Sequence, residues 1–172
     1  MQDILIVVDM QNDFIDGALG TKEAVSIVPN VLSLVKSHTD RVIFTKDTHS
    51  HDYLSTSEGK NLPIEHCIKG TNGWEICPQL LEYAKEVIEK PTFGSIDLAE
   101  QLKKENKKDP IGKITLVGLC TDICVISNTL LLKATFPEIE ISVVSSACAG
   151  VTKESHENAL NAMKMCQIII IK

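Results

Sequence analysis

A three-layer α/β/α sandwich around a mainly parallel six-stranded sheet is the fold class that these 172 residues predict. Three observations carry that reading. Short runs of apolar, mostly β-branched residues recur along the chain, as strands covered on both faces require. Stretches of helical period separate them, and this alternation is the pattern of an α/β fold. A 44% hydrophobic share in a chain of one domain's length is enough for one substantial core. Residues 1–172 therefore read as a single domain.

The expected strands are Ile4–Val8, Val42–Thr45, Ile114–Val117, Ile139–Val144 and Ile168–Ile171, with a weaker sixth at Val87–Ile88. Thr21–Ser37 has helical spacing through Val25, Val28, Leu32 and Val35, and Trp74–Lys85 through Trp74, Cys77, Leu81 and Ala84. Ser95–Glu105 opens on a serine that can cap its first turn. Asp122–Ala134 is apolar almost all round, as a central helix should be, and Ser155–Met165 is the last helical stretch. Ala149–Thr152 reads as a turn and cap, and Lys103–Lys108 as part of a polar turn between elements. The segment from Lys46 to Gly73 has no regular pattern and carries three of the five histidines. Irregular segments of that length in a compact domain are usually functional.

Composition excludes several classes of partner. Acidic residues outnumber basic ones 23 to 17, for a net charge of −6, so the basic face that nucleic acid needs is missing. No apolar run is long enough to cross a membrane. Neither a G-x-G-x-x-G fingerprint nor a P-loop is present. Six cysteines could frame disulfides, but the apolar content does not need them. Met1-Gln2-Asp3 leads straight into the first strand, with no secretory segment. Free thiols in a reducing cytosol, most of them packed in the core, are the expectation.

In an open α/β sheet, ligands bind beyond the carboxyl ends of the strands, so the residues there matter most. The first strand runs into Asp9-Met10-Gln11-Asn12-Asp13-Phe14, which places an acid at the rim, either for chemistry or as a turn residue. The second ends in Lys46-Asp47-Thr48-His49-Ser50-His51, where Asp-x-His can supply two metal ligands. The third reaches Glu89-Lys90-Pro91, and a lysine there is ordinarily solvated. The fourth runs through Gly118-Leu119-Cys120-Thr121-Asp122-Ile123-Cys124-Val125, so Cys124 falls in the first turn of a helix. The free N–H groups and dipole of that turn favour a thiolate, although a buried core cysteine is the simpler alternative. Cys120 and Cys124 could instead be a metal pair, but no further cysteines complete a structural zinc site. A thiol, an acid and a lysine on one rim make a covalent acyl-transfer site, in which the thiol attacks, the acid manages its proton and backbone N–H groups receive the oxyanion.

These motifs resemble the cysteine hydrolase superfamily with the isochorismatase-like hydrolase fold, and its nicotinamidase branch most. Asp9-Met10-Gln11-Asn12-Asp13-Phe14 follows that family's Asp-x-Gln-Asn-Asp-Phe signature, and Gly118–Val125 follows its nucleophile motif. The resemblance implies Cys124 as nucleophile, with Asp9 and Lys90 completing a triad. It also implies a cis peptide at Leu119–Cys120 and an oxyanion hole made by the backbone of Cys120 and Cys124. Cys120 itself has only that backbone role. It implies a divalent metal, zinc first and iron(II) or manganese(II) next, held by Asp47, His49 and His66. Where typical members have a further histidine this chain has Ser55; Glu58, nine residues after His49, can replace it, His51 competes, and a site without a fourth protein ligand stays open. Phe14 matches a pocket aromatic and Phe93 can be another, each also a plausible core residue. Where the family often places a tryptophan, this chain has Leu62-Pro63-Ile64.

The implied activity is hydrolysis of nicotinamide to nicotinate and ammonia through a thioester, as part of pyridine nucleotide salvage. Another small amide or carbamoyl substrate is the first alternative, and a non-catalytic binding protein the second. Self-association is expected from the family. Cys124 is expected to have a lowered pKa, being at a helix start near Lys90. Ser145 and Ser146 are expected to line the pocket wall or fix the backbone, and His156 to be a satisfied neutral side chain.

Overall fold

Six parallel strands form one sheet, in the order β3-β2-β1-β4-β5-β6, in the computed structural model, which describes residues 1–172. They are β1 (Gln2–Val8), β2 (Arg41–Asp47), β3 (Val87–Lys90), β4 (Ile111–Leu119), β5 (Glu140–Ala149) and β6 (Ile169–Ile171). The helices are α1 (Asn12–Ile15), α2 (Lys22–Ser37), α3 (Ser57–Asn61), α4 (Pro78–Leu81), α5 (Ile96–Glu105), α6 (Ile126–Thr135) and α7 (Lys153–Met165). The chain starts at the sheet's centre, builds outward to β3, then crosses back to β4 on the other side of β1. The strand order therefore reverses between β1 and β4, the place where such sheets bind ligands.

Alternate residues of β1 feed the two apolar layers. Ile4, Ile6 and Val8 join Leu98, Leu102, Leu132, Leu160 and Met163 from α5, α6 and α7. Leu5 and Val7 join Ile27, Val28, Val31 and Leu80 from α2 and α4. Both faces of the sheet are thus covered by helices, which is why its strands read as continuous apolar runs. The sheet is wholly parallel.

Some boundaries differ from the sequence pattern. Of Trp74–Lys85 only Pro78–Leu81 is helical. Pro78 forces Cys77 into extended backbone (φ −57°, ψ 144°), so no helix can run through that point. β4 and β5 run further than their apolar stretches, because the sheet carries Gly112, Gly118, Ser145 and Ser146 as well. The helix expected from Asp122 begins as a wide π-type turn, Thr121–Val125, before α6. Lys46–Gly73 contains a 3₁₀ turn, Tyr53–Ser55, and the short α3.

Predicted caps are in place. Ser95 Oγ accepts from Leu98 N at 3.1 Å, and Thr152 and Ser155 form a reciprocal capping box on α7. Ser145 Oγ donates to Ile171 O at 3.0 Å and so fixes backbone, whereas at Ser146 it is the main-chain carbonyl that accepts, from the Asn30 side chain. His156 Nδ1 stands 2.7 Å from Thr121 Oγ1. All six cysteines are free; Cys67, Cys77, Cys124 and Cys148 are buried, Cys120 is partly so and Cys166 is exposed. No helix is long and apolar enough to cross a membrane.

Candidate active site

Asp9, Lys90 and Cys124 meet where β1, β3 and β4 end. Asp9 follows β1 directly and turns the chain with a positive φ of 48°, a conformation Asp tolerates better than most residues. Gly118 lets β4 come close at this point: its φ is +113°, and a Cβ there would stand 2.1 Å from Val8 O. Thr45 holds Asp9 from β2: its Oγ1 donates to Asp9 Oδ1 at 2.6 Å, and its carbonyl accepts from Asp9 N. The last residue of β3, Lys90, is 1% exposed instead of solvated. Its Nζ lies 2.6 Å from Asp9 Oδ2, 3.4 Å from Cys124 Sγ and 3.3 Å from Asp47 Oδ1. Asp9 Oδ2 is buried, and this ion pair with the ammonium is its one polar contact. Asp9 and the Cys124 thiol thus face the same Lys90 ammonium. The Leu119–Cys120 peptide is cis, and the Cys120 N–H makes no backbone hydrogen bond.

Burial dominates the electrostatics. It raises Asp9 above the ordinary carboxylate range, and the Lys90 charge offsets it only in part. Burial opposes a charged Lys90, but Asp9, Cys124 and Asp47 around it prevail and keep it protonated. Cys124 departs from expectation: burial pushes its thiol well above the ordinary range, Asp9 adds to this, and Lys90 does not compensate. The lowered pKa that the helix start suggested is therefore corrected. The turn is a single wide one, and desolvation outweighs what it and one ammonium can supply. Cys120 is likewise pushed up to about 12 by burial.

A second cluster joins Asp47, at the end of β2, to His49, Glu58 and His66 from the long segment that follows. One ligand-type atom from each lies within 4.8 Å of all the others. His49 Nε2 stands 2.9 Å from Asp47 Oδ2 and 3.6 Å from Glu58 Oε1; His66 Nε2 stands 3.6 Å and 3.7 Å from the same two oxygens. Ligands roughly 2.0–2.1 Å from a tetrahedral zinc are about 3.3 Å apart, so this set is spaced to close around a divalent ion. His66 Nδ1 lies 2.8 Å from Ile64 O, a contact that fixes the ring and leaves Nε2 for a metal. Burial opposes charge on Asp47, yet the hydrogen bond with His49, the nearby His66 ring and the Lys90 charge hold it below the ordinary carboxylate range. Burial raises Glu58, with Asp47 adding to the effect. His51 is exposed and outside the cluster.

The sequence pattern did not single out the groups that hold this cluster. Gln11, fully buried, accepts from Asp47 N at 2.7 Å and donates to Asp47 O at 2.8 Å and Trp74 O at 2.9 Å. It pairs with Asp47 as a neighbouring strand would. Asp13 Oδ2 accepts from Cys67 N at 2.8 Å, directly after His66. Tyr53 is wholly buried, its ring 4.7 Å from that of His49 and 5.0 Å from that of His66. An alternating polar signature hints at Gln11 and Asp13; nothing local marks Tyr53.

Both clusters border one narrow pocket of about 40 Å³. Phe14, Leu62, Phe93 and Ile123 give it apolar walls, and Asp47, Glu58, His66, Cys120 and Cys124 its polar ones. A wider surface cleft of about 560 Å³, near Asp3, His38 and Lys113, contains no cysteine and none of these groups.

Residues 3–172 match the Isochorismatase domain family. The nicotinamidase of Schizosaccharomyces pombe is 27% identical over 204 residues, covering 97% of this chain and 91% of the relative. Among solved structures, the pyrazinamidase of Pyrococcus horikoshii in complex with zinc superposes with a TM-score of 0.84 at 28% identity, covering 100% of this chain and 99% of that one. N-carbamoylsarcosine amidase of Thermoplasma acidophilum gives 0.78 at 25% identity, covering 100% and 96%. A family match over nearly the whole length, on the same kind of parallel sheet, identifies this chain as a member of the isochorismatase family.

Proposed function

We propose that this chain is a nicotinamidase, hydrolysing nicotinamide to nicotinate and ammonia. The observation that carries the reading is the placement of Lys90 Nζ between Asp9 and Cys124, at 2.6 Å and 3.4 Å, beside a pocket that also borders the four-residue ligand cluster. Asp9, with its raised proton affinity, takes the proton of the neutral Cys124 thiol as sulfur bonds to the carboxamide carbon. Lys90 stays charged and stabilises the negative sulfur as it forms. The backbone N–H groups of Cys120 and Cys124 receive the carbonyl oxygen as it becomes an anion. Asp9 returns the proton to nitrogen, the C–N bond breaks and ammonia leaves a thioester on Cys124. Asp9 then takes a proton from water as its oxygen attacks the thioester; the C–S bond breaks, the acid departs and the proton returns to sulfur. Asp47, His49, Glu58 and His66 would hold a divalent ion, zinc first, with water completing its shell. Such an ion supplies a Lewis-acidic centre for the ring nitrogen, directly or through water, and so orients the substrate.

Leu62 lines the pocket without an aromatic face for ring stacking, which favours a second reading: a small carbamoyl or non-aromatic amide. Ammonia release across nicotinamide, pyrazinamide and carbamoyl compounds, with metal content measured on the same preparation, decides between them. Fastest turnover of nicotinamide supports the first reading, preference for a carbamoyl compound the second, and no ammonia from any of them removes both. We further propose that the chain acts as one domain, in a reducing cytoplasm, as a homo-oligomer; light scattering at about 19 kDa would refute the last point.

A further inference from the structure

The wide turn that carries Cys124 is followed by three polar side chains that bond back onto it. Ser127 Oγ donates to Ile123 O at 2.6 Å, Asn128 Nδ2 to Cys124 O at 2.8 Å, and Thr129 Oγ1 to Val125 O at 2.7 Å. Within the turn, Val125 N–H reaches five residues back to Cys120 O, so the local helical ladder is out of step. Side chains reaching back four residues also serve its carbonyls, beside the Ile126 N–H that donates to Ile123 O.

Asn128 goes further than its two neighbours. The same Nδ2 also donates to Phe93 O at 2.9 Å, and Oδ1 accepts from Ser95 N at 2.9 Å. The side chain is 1% exposed, and both its amide protons and its oxygen are engaged. It joins the main chain at Cys124 to the segment after Lys90, on which Phe93 lines the pocket. That segment lies against α6, since a Cβ on Gly94 would stand 3.5 Å from Ser127 O. Phe93 is 41% exposed, so packing holds its ring weakly; the main-chain bonds around it set its place.

We infer that Asn128 is a positioning residue that fixes the Phe93 wall of the pocket relative to Cys124, so that substrate and thiol meet in register. The inference rests on the hydrolase reading for its kinetic consequence. Asn128→Thr separates the two halves of the bridge. Its hydroxyl can serve Cys124 O, as Thr129 serves Val125 O, but with one proton to donate it leaves Phe93 O without a donor. Asn128→Ala removes every bond.

The test combines steady-state kinetics on nicotinamide, alkylation of Cys124 by iodoacetamide and hydrogen exchange at the Ser95 amide. In Asn128→Thr, KM should rise about tenfold with kcat within about threefold, because the wall is displaced while the nucleophile keeps its support. Alkylation should stay within about twofold of wild type and Ser95 exchange should speed up at least about tenfold. Asn128→Ala should move alkylation as well. Thr135→Val, which removes the like bond to Leu131 O further along α6, should move none of these. Wild-type KM and Ser95 exchange in Asn128→Thr would overturn the inference, as would a loss confined to melting temperature or an equal KM rise in Thr135→Val. If Asn128→Ala does not fold, Asn128→Thr decides alone. If wild-type protein releases no ammonia from any amide, the hydrolase reading fails; Ser95 exchange in Asn128→Thr then judges the bridge, acceleration supporting it and no change refuting it.

Discussion

The two polar clusters beside the pocket are held in different ways. Asp9 and Lys90 stand at strand ends and Cys124 on the wide turn that follows β4; they are 0%, 1% and 4% exposed, so the sheet and that turn set their spacing. In the other cluster only Asp47 belongs to a strand. His49, Glu58 and His66 lie on a segment whose regular structure is one 3₁₀ turn and a five-residue helix. What fixes it is borrowed from the turn after β1: Gln11 grips Asp47, Asp13 grips the residue after His66, and the Phe14 ring lies 5.5 Å from that of His66. The stretch Asp9–Phe14 therefore serves both clusters, one through a side chain at the sheet and the other through a scaffold of hydrogen bonds.

Breaking the sheet-held half alone should have the largest effect. Cys124→Ala and Asp9→Asn should each lower kcat by about 10⁴-fold or more, with far-UV circular dichroism and metal content unchanged. Cys120→Ala should cost less than about tenfold, since the proposal uses only its backbone N–H. Activity kept in Cys124→Ala, or metal lost from it, would mean that the halves are not separable in this way. The reverse experiment is Gln11→Ala. Zinc affinity in a chelator competition should weaken about 10–100-fold, the usual range for a residue behind a ligand, while Cys124 alkylation stays as in wild type.

A third experiment sharpens the electrostatic side of the comparison. Burial and the Asp9 charge both hold the Cys124 thiol neutral, so its alkylation rate should climb only at pH above the ordinary thiol range. Asp9→Asn removes the neighbouring negative charge and should move that climb to lower pH. A rise centred below the ordinary thiol range in wild type would contradict the burial argument. The smallest effect belongs to the surface of the long segment. Lys69→Ala breaks an exposed ion pair with Glu89 and should change stability by less than about 0.5 kcal/mol in urea unfolding, with zinc affinity unaltered.

What could be read in the sequence follows the same division. The sheet was legible because parallel strands buried on both faces are nearly continuous apolar runs, and Ile4–Val8 and, apart from Thr115, Ile114–Val117 are. The residues after those runs fell at one rim for the same topological reason. Asp47 and His49 were legible as an Asp-x-His pair, because metals demand imidazole and carboxylate; His66, and Glu58 in place of a histidine, came from the family resemblance, and all four gather in one cluster. Their supports were not legible. Tyr53 is wholly buried in a stretch with no periodicity, and its burial depends on a chain reversal that no local pattern announces. Asn128 looked like part of an apolar helix, yet it carries three hydrogen bonds across 33 to 35 residues and to its own turn. The state of Cys124 was misjudged because a helix start is visible in sequence whereas depth of burial is not. The helix expected from Trp74 failed at Pro78, a signal that was present and local.

The account rests centrally on a covalent bond between substrate and Cys124, and intact-mass spectrometry of protein quenched during nicotinamide turnover tests it most directly. The account predicts an adduct of nicotinoyl mass, labile to hydroxylamine, mapped by peptide digestion to Cys124 and absent in Cys124→Ala but present in Cys120→Ala. An adduct on Cys120, or undiminished ammonia release by Cys124→Ala, would contradict it.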